Sequence, residues 1–407
     1  MKYIGILGFG VVGSGVAEVM AMNQEKITKH MGEQMAVKRI LDLRDFPDSL
    51  FADLITHDAE EFFGDPDISI VVETIGGARV AYEYTKRALS MGKSVVTSNK
   101  ELVSTHGVEL MQLAEDNGCS YLFEAAVGGG IPIIRPMHRC LAANQIMKIA
   151  GIVNGTTNYI LTNMRDAGIS YDEALKQAQA KGYAENNPSA DVDGIDAQRK
   201  LSILSTIALD GRYVAPSTIN TEGISKLTLD DIMFAEKIGC SVKLLACFTH
   251  PFNDEPACYV APHFVNKNML LASIDGVFNA ILVEGNALGE SLFYGQGAGK
   301  LATASAVVGD VLDAGLHMHK DAHITKWYVD DNGGKVIKDY DDVIVSAVIR
   351  AENGKADAVC EAFKEFSPEV IFNDEKDVAV KVSGISHAKL SGLISSVEGA
   401  SWIHYIE

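Results

Sequence analysis

Two stretches of this chain combine residue types and spacings that chemistry uses. The first runs Glu185-Asn186-Asn187-Pro188-Ser189-Ala190-Asp191-Val192-Asp193-Gly194-Ile195-Asp196-Ala197-Gln198-Arg199-Lys200. A helix over residues 193–209 puts Asp196 and Lys200 on one stripe with Ile203 and Ile207, because side chains four apart share a face. Leu201, Leu204 and Ala208 flank that stripe, and Gln198, Arg199, Ser202, Ser205 and Thr206 fall opposite. A surface ion pair is the ordinary use of that spacing. Here it would stand on the apolar side, where an unpaired charge costs several kcal/mol. The pair therefore reads as the lining of a cleft, with a structural ion pair as the alternative.

Gly8-Phe9-Gly10-Val11-Val12-Gly13 is the second constellation; it follows a short apolar run and opens a helical pattern. The first glycine permits the turn and the second lets a pyrophosphate approach the backbone. The third lets helix and strand pack closely, and the helix N-terminus presents partial positive charge. In that context the pattern reads as a dinucleotide cradle, against the plainer alternative of a tight turn. An acid for the ribose 2′-hydroxyl is expected about 20 residues on. Asp42 lies farther, and a polar, irregular insertion over residues 22–34 absorbs the surplus. Arg44 stands two residues later and suits a 2′-phosphate instead, so NAD and NADP both stay open.

Other segments offer weaker signals. Lys100 follows Val95-Val96-Thr97-Ser98-Asn99 and so projects from the carboxyl end of a parallel strand, the edge where open α/β sheets bind ligands. The alternative is a solvated lysine opening a helix beside Glu101. Asn154-Gly155-Thr156-Thr157-Asn158 gathers hydroxyls, amides and backbone N–H groups at a helix start, suited equally to a small carboxylate and to N-capping. Gly295-Gln296-Gly297-Ala298-Gly299 is a further place for close backbone approach. The 11 histidines show no H-E pattern, and the 6 cysteines no C-x-x-C spacing. A catalytic transition metal and a disulfide framework are both disfavoured.

These residues need a scaffold, and the 407-residue chain has the material for one. It is 47% hydrophobic and 22% charged, which rules out a disordered or low-complexity chain. At roughly 100–200 residues per domain the length suggests about two to four domains. The balance of 35 basic and 54 acidic residues, a formal charge of -19, disfavours nucleic-acid and anionic-membrane partners. No apolar run reaches the length of about 18 residues that a span needs, so the expectation is a soluble, cytoplasmic protein. The first third alternates strands (3–7, 36–41, 68–72, 94–97, 120–123) with helices (12–22, 79–90, 102–117). That is the pattern of a parallel sheet covered by helices. Helices near 158–167 and 171–181 and extended runs at 242–248, 258–262, 276–283 and 292–295 make the middle an α+β region, followed by a helix over 301–314. A turn is expected at 330–334. Strand, helix, strand, strand, helix and strand then follow over 343–405, the ferredoxin-like order.

At these residues the chain resembles homoserine dehydrogenase over roughly residues 1–320. The resemblance is carried by Gly8–Gly13, Thr97-Ser98-Asn99-Lys100, Phe123-Glu124-Ala125-Ala126-Val127-Gly128-Gly129-Gly130-Ile131-Pro132, Asn154-Gly155-Thr156-Thr157-Asn158-Tyr159-Ile160-Leu161, Gly182-Tyr183-Ala184-Glu185 through Lys200, and Tyr294–Gly299. It implies an α/β protein with a Rossmann-like dinucleotide-binding domain (1–133, completed by about 298–320). An α+β catalytic and dimerisation domain (134–297) and a C-terminal βαββαβ ACT-like domain (341–407) would follow. It implies NAD(P)-dependent interconversion of L-homoserine and L-aspartate 4-semialdehyde, in threonine, methionine and isoleucine biosynthesis, by a homodimer or homotetramer. On the resemblance Lys200 is the acid/base, Lys100 lies by nicotinamide and substrate, and Asp196 binds or orients the substrate; on physical grounds Asp196 would also keep Lys200 oriented. Gly182, Glu185, Asp191 and Thr156 join them at the substrate. The cofactor set is Gly8, Gly10, Val11, Val12, Gly13, Asp42, Arg44, Thr74, Lys100 and Gly299. Glu124, Val127, Gly129 and Ile131 match a site for a monovalent cation, sodium or potassium, built largely from backbone carbonyls. Two departures stand out: Asn187 replaces the usual acid, and Glu352-Asn353-Gly354-Lys355 stands where ACT domains carry a Pro-Gly turn. The competing readings are another amino-acid semialdehyde dehydrogenase and a catalytically silent amino-acid sensor.

Overall fold

The computed structural model describes residues 1–317, 326–330 and 336–407. Residues 318–320 of the expected first-domain completion, and the expected turn beyond Asp330, lie outside the described residues. The chain divides into two compact units. Met1–Gln145, Ser202–Pro216 and Phe293–Gly334 form one, and Ile146–Leu201, Ser217–Leu292 and Lys335–Glu407 the other.

In the first unit, β1 (Lys2–Leu7), β2 (Met35–Leu41), β3 (Ile55–Thr56), β4 (Ile68–Glu73), β5 (Ser94–Thr97) and β6 (Tyr121–Leu122) make one sheet in the order β3-β2-β1-β4-β5-β6. Every pairing is parallel. Parallel neighbours need crossover connections, and α1 (Val11–Met22), α2 (Gln24–Met31), α3 (Ala59–Phe63), α4 (Arg79–Ser90) and α5 (Lys100–Asp116) lie along them. The strand order reverses between β1 and β4. Ligands of such sheets bind beyond the carboxyl ends of the strands at that switch, and here those ends lead into Gly8 and Thr74. The insertion over 22–34 is helical where the sequence suggested irregular chain. Ile27 and Met31, one turn apart, bury its single apolar edge, and Gly32 ends it in the left-handed conformation at φ 73°.

The second unit begins with β7 (Ile146–Ile152), α6 (Gly155–Ala167), α7 (Tyr171–Ala180), α8 (Ser189–Val192) and α9 (Ile195–Ala208), with the unit boundary inside α9. Ser170 and Glu173 cap α7 reciprocally, as their spacing predicts. There follow β8 (Asn220–Thr221), α10 (Leu229–Lys237), β9 (Cys240–Thr249), β10 (Ala257–Asn266), β11 (Phe278–Gly285) and β12 (Gly289–Gln296). Next along the chain, α11 (Lys300–Leu316) belongs to the first unit and packs on α1. A Cβ on Gly15 would lie 2.8 Å from the Lys300 carbonyl, so only glycine permits that approach.

The C-terminal stretch has the expected order: β13 (Ile344–Glu352), α12 (Ala356–Ala362), β14 (Glu369–Asn373), β15 (Asp377–Ser386), α13 (His387–Ile394) and β16 (Ser401–Ile406). Its strands run β16-β13-β15-β14 with antiparallel neighbours. The middle and C-terminal stretches, taken from the sequence as two domains, share one sheet. β16 pairs in parallel with β10 through His263↔His404, Phe264↔Tyr405 and Val265↔Ile406. The path is β12-β11-β7-β9-β10-β16-β13-β15-β14, with β8 also on β10. One apolar core runs beneath both, from Ala150 and Leu245 to Ile349, Val380 and Leu390.

Candidate active site

The glycine fingerprint sits where the sheet's switch point requires it. Gly8 leaves β1 at φ 87°, and Gly10 precedes α1 with no side-chain cap and no acid in the first turn, so the helix N-terminus stays electropositive. A Cβ on Gly13 would fall 2.0 Å from the Gly8 carbonyl and 2.8 Å from Thr74 Oγ1, whereas one on Gly10 would meet only Arg44 Nη2 at 3.9 Å. The third glycine is thus packed solid and the second opens onto free space, the division of labour a pyrophosphate cradle needs. Val11, 67% exposed, opens the helix, with Val12 half-buried behind it. Thr74 Oγ1 donates to the Gly8 carbonyl at 2.8 Å, tying the ends of β1 and β4 together.

Asp42 follows β2 directly and is 9% exposed. Its Oδ2 accepts from Phe9 N at 2.6 Å and Arg44 Nη2 at 3.0 Å, and its Oδ1 from Arg44 N at 2.9 Å and Nε at 3.0 Å. Burial alone would raise its pKa, but the Arg44 guanidinium and the two amides outweigh it and hold the carboxyl down at about 2. Lys100 is the half-buried first residue of α5, just after Asn99, whose side chain caps the helix by accepting from Leu102 N at 3.1 Å. Gly299, at φ 124°, caps α11.

In the second unit the acid and lysine of α9 form one buried cluster. Lys200 Nζ donates to Asp196 Oδ2 and to the Val153 carbonyl, both at 2.6 Å; the two residues are 8% and 4% exposed. Asn154 caps α6 by accepting from Thr157 N at 2.9 Å. Its amide donates to Asp191 Oδ1 at 2.7 Å and Asp196 Oδ2 at 2.9 Å. Two fixed acceptors thus aim the lysine, and a fixed amide aims the acid. The far side of α9 is buried as well, unlike the polar face expected for Ser202, Ser205 and Thr206. Ser202 donates to the Val214 carbonyl at 2.6 Å, and Thr206 donates to the Ser202 carbonyl while accepting from Val214 N. Hydroxyls bonded this way allow burial without an unsatisfied group. Thr156 Oγ1 donates to the Tyr183 carbonyl at 2.7 Å, drawing the Gly182–Glu185 loop onto α6; Glu185 itself is exposed.

Known proteins resemble this chain along most of its length. A family model described as the NAD binding domain of homoserine dehydrogenase matches residues 8–124, and one described as homoserine dehydrogenase matches residues 132–312. The homoserine dehydrogenase of Neisseria gonorrhoeae is 42% identical over 316 residues, covering 76% of this chain and 71% of the relative. The chain belongs to the homoserine dehydrogenase family. A crystal structure of the Thiobacillus denitrificans homoserine dehydrogenase superposes with a TM-score of 0.90 at 35% identity, covering 100% of this chain and 98% of that one. A hyperthermophilic archaeal homoserine dehydrogenase in complex with NADPH superposes at 0.66 and 30% identity, over 78% of this chain and 98% of its own. The chain is accordingly an oxidoreductase of the nicotinamide-dependent kind, with residues 8–124 matching the dinucleotide-binding domain.

The Phe123–Pro132 motif of the family is held by carboxylates that the sequence reading did not connect. Glu124 is 4% exposed, and its side chain accepts from the amides of Ile133, Ile134 and Arg135 at 2.7, 2.8 and 2.8 Å. Asp310, on α11, accepts from Glu124 N at 2.7 Å and pairs with Arg135. Burial lifts the Asp310 carboxyl to about 7. Gly128 and Gly129 are both left-handed, and a Cβ on Gly129 would lie 2.3 Å from the Gly297 carbonyl. Val127, Gly129 and Ile131 thus belong to a bend packed against the Gly295–Gly299 loop. Sequence reasoning also passed over Glu73, at the carboxyl end of β4. It accepts from Thr97 Oγ1 and Ile75 N, both at 2.6 Å, and burial raises its pKa to about 7. An acid closing an otherwise apolar strand was the available signal.

Proposed function

We propose that this chain interconverts L-homoserine and L-aspartate 4-semialdehyde and that Lys200 carries the proton of that reaction. The single observation behind the role of Lys200 is its buried ammonium, aimed by Asp196 Oδ2 and the Val153 carbonyl at 2.6 Å each. Oxidising the alcohol needs a base for the hydroxyl proton, and the reverse reaction needs an acid for the aldehyde oxygen. A lysine held by a carboxylate and a carbonyl is fixed in direction, which a freely rotating surface ammonium is not. Asp191 and Glu185 offer carboxylates for the substrate's ammonium group. The start of α6, with Thr156, offers amides and a hydroxyl for its carboxylate. Lys100 serves at the nicotinamide end of the cofactor site. The bound nicotinamide supplies the hydride acceptor in one direction and the donor in the other.

Within the cofactor cradle, the saturation of Asp42 by four donors favours NADP over NAD. Its lone pairs are already spent, and the exposed Arg44 guanidinium beside it can meet a 2′-phosphate. Gly8, Gly10, Val11, Val12, Gly13, Thr74 and Gly299 would line the rest. The carbonyls of Glu124, Val127, Gly129 and Ile131 would hold sodium or potassium, since rings of carbonyl oxygens can replace the hydration shell of such ions. The Glu124 carboxylate is committed to three amides, so it would contribute through its main chain. The βαββαβ order and strand arrangement of residues 341–407 support an ACT-like reading, and a homodimer or homotetramer follows from the resemblance alone.

The test is reduced-cofactor absorbance on adding L-homoserine, with NADP and NAD in parallel and potassium or sodium varied. Turnover faster with NADP is expected. Folded protein that turns over with neither cofactor would overturn the reading and favour a silent sensor.

A further inference from the structure

β9 buries a lysine in the middle of an apolar strand. Lys243 is 1% exposed and stands opposite His263 in the register of β9 with β10. Its ammonium donates to the Ile274 carbonyl at 2.5 Å, to Asp275 Oδ1 at 2.9 Å and to Asn158 Oδ1 at 3.3 Å. Burial pulls its pKa down, and the Asp275 carboxylate works against that. The proposed reaction makes no use of it. Well-packed apolar side chains commonly replace a buried ion pair at no loss of stability, so an ion here calls for a role.

Its acceptors lie on two pieces of chain, α6 and the connection that precedes β11. Several other contacts join the same two pieces. Asn158 Nδ2 donates to the Ile274 and Phe278 carbonyls at 3.1 Å each. Arg165 forks onto Asp275 at 3.1 and 2.9 Å, and Gly276 N donates to Thr162 Oγ1 at 3.0 Å. At the other end, a Cβ on Gly155 would lie 2.7 Å from the Val277 carbonyl. The connection is therefore clamped along α6 from Gly155 to Arg165. The residue immediately ahead of Gly155 is Asn154, whose amide bridges Asp191 and Asp196.

We infer that Lys243 is a positioning residue for the proton-transfer centre. By tying Asn158 to the 274–278 connection it fixes α6, and through α6 the direction of the Asn154 amide onto Asp196, the acceptor that aims Lys200. The inference rests on the reading of Lys200 given above. It also gives Asn158 a role: that residue serves this clamp, while Asn154 serves the acid.

The experiment is a kinetic cycle of Lys243→Met and Asn154→Ala, singly and together, in L-homoserine oxidation. Lys243→Met lowers kcat about tenfold to a hundredfold, the scale of a small misplacement, while KM for NADP stays within about twofold. In the Asn154→Ala background Lys243→Met produces no further loss, because both act through one contact. Losses that multiply, or an unchanged kcat in either single variant, overturn the inference. If Lys243→Met fails to fold, Asp275→Asn loosens the half-exposed end of the same clamp and must show the same coupling to Asn154→Ala. Lys200→Ala measured alongside separates the two failures. A fully active Lys200→Ala removes the reading of the centre, whereas an inactive one beside uncoupled Lys243 and Asn154 variants removes this inference alone.

Discussion

Gly13→Ala adds one methyl group at the most crowded point of the cofactor cradle. The new Cβ would sit 2.0 Å from the Gly8 carbonyl and 2.8 Å from Thr74 Oγ1, so the first contact is about 1 Å shorter than real Cβ contacts allow. Either α1 or the Gly8 turn must give way. α1 cannot easily do so, because Val16, Ala17 and Met20 are buried in the core and Gly15 lies against Lys300 and Ala304. The turn moves instead and carries the Phe9 amide away from Asp42, to which it donates at 2.6 Å. Overpacking of this kind costs about 1–3 kcal/mol of stability. A misplacement near 1 Å costs on the order of 10²-fold in function. NADP affinity by protein fluorescence, with kcat/KM for NADP, should fall by about that factor while the protein stays folded. A Gly13→Ala variant that binds NADP as tightly as the parent would show that the turn is not a cofactor cradle.

Other perturbations address separate parts of the account. Arg44→Ala should raise KM for NADP by about tenfold or more and leave KM for NAD nearly unchanged, since one charge-assisted contact is worth roughly 1.5–3 kcal/mol; equal effects on both cofactors would contradict the 2′-phosphate role. Asp196→Asn keeps the shape but removes the charge that aims Lys200, so kcat should fall about 10²-fold with KM for NADP unaltered, and a retained kcat would refute the orienting role. Glu73 has a pKa raised by burial from 4.5 to about 7. The native state therefore keeps a proton that the unfolded chain has released across that interval, and stability falls as pH rises from 4.5 to 7 and levels off above. In Glu73→Gln the decline of Tm over that window should be shallower, with Asp310, also near 7, supplying what remains; parallel Tm curves would contradict this.

Local patterns made much of this molecule readable, and the misses have physical causes. The fingerprint at Gly8–Gly13 needs only a strand, a turn and a helix start, all encoded within a few residues, and the structure has them there. β3, two residues long, is below the reach of any periodicity, and α2 shows only Ile27 and Met31 as an apolar edge. β7 was missed although it ends in a continuously buried run from Ile149 to Ile152, and α10 although Thr228 and Asp231 form a capping box. The parallel pairing of β10 with β16 joins strands far apart in the chain with no turn between them, so nothing local announces it. At the site, the stripe of Asp196 and Lys200 was legible from helical spacing. Asn154 as their bridge was not, because an N-cap and a ligand use the same residue types. Lys243 was visible as a charge inside the apolar strand Cys240–Thr249, but its partners on α6 and before β11 come from the fold.

The role of Lys200 is tested most directly by the maximal rate of L-homoserine oxidation in Lys200→Ala, with NADP affinity and Tm measured on the same preparation. Loss of proton transfer predicts a kcat lower by about 10²–10⁴-fold in a folded protein that still binds NADP, because the cradle from Gly8 to Gly13 belongs to the other unit. A folded Lys200→Ala protein with an unimpaired kcat would contradict the account.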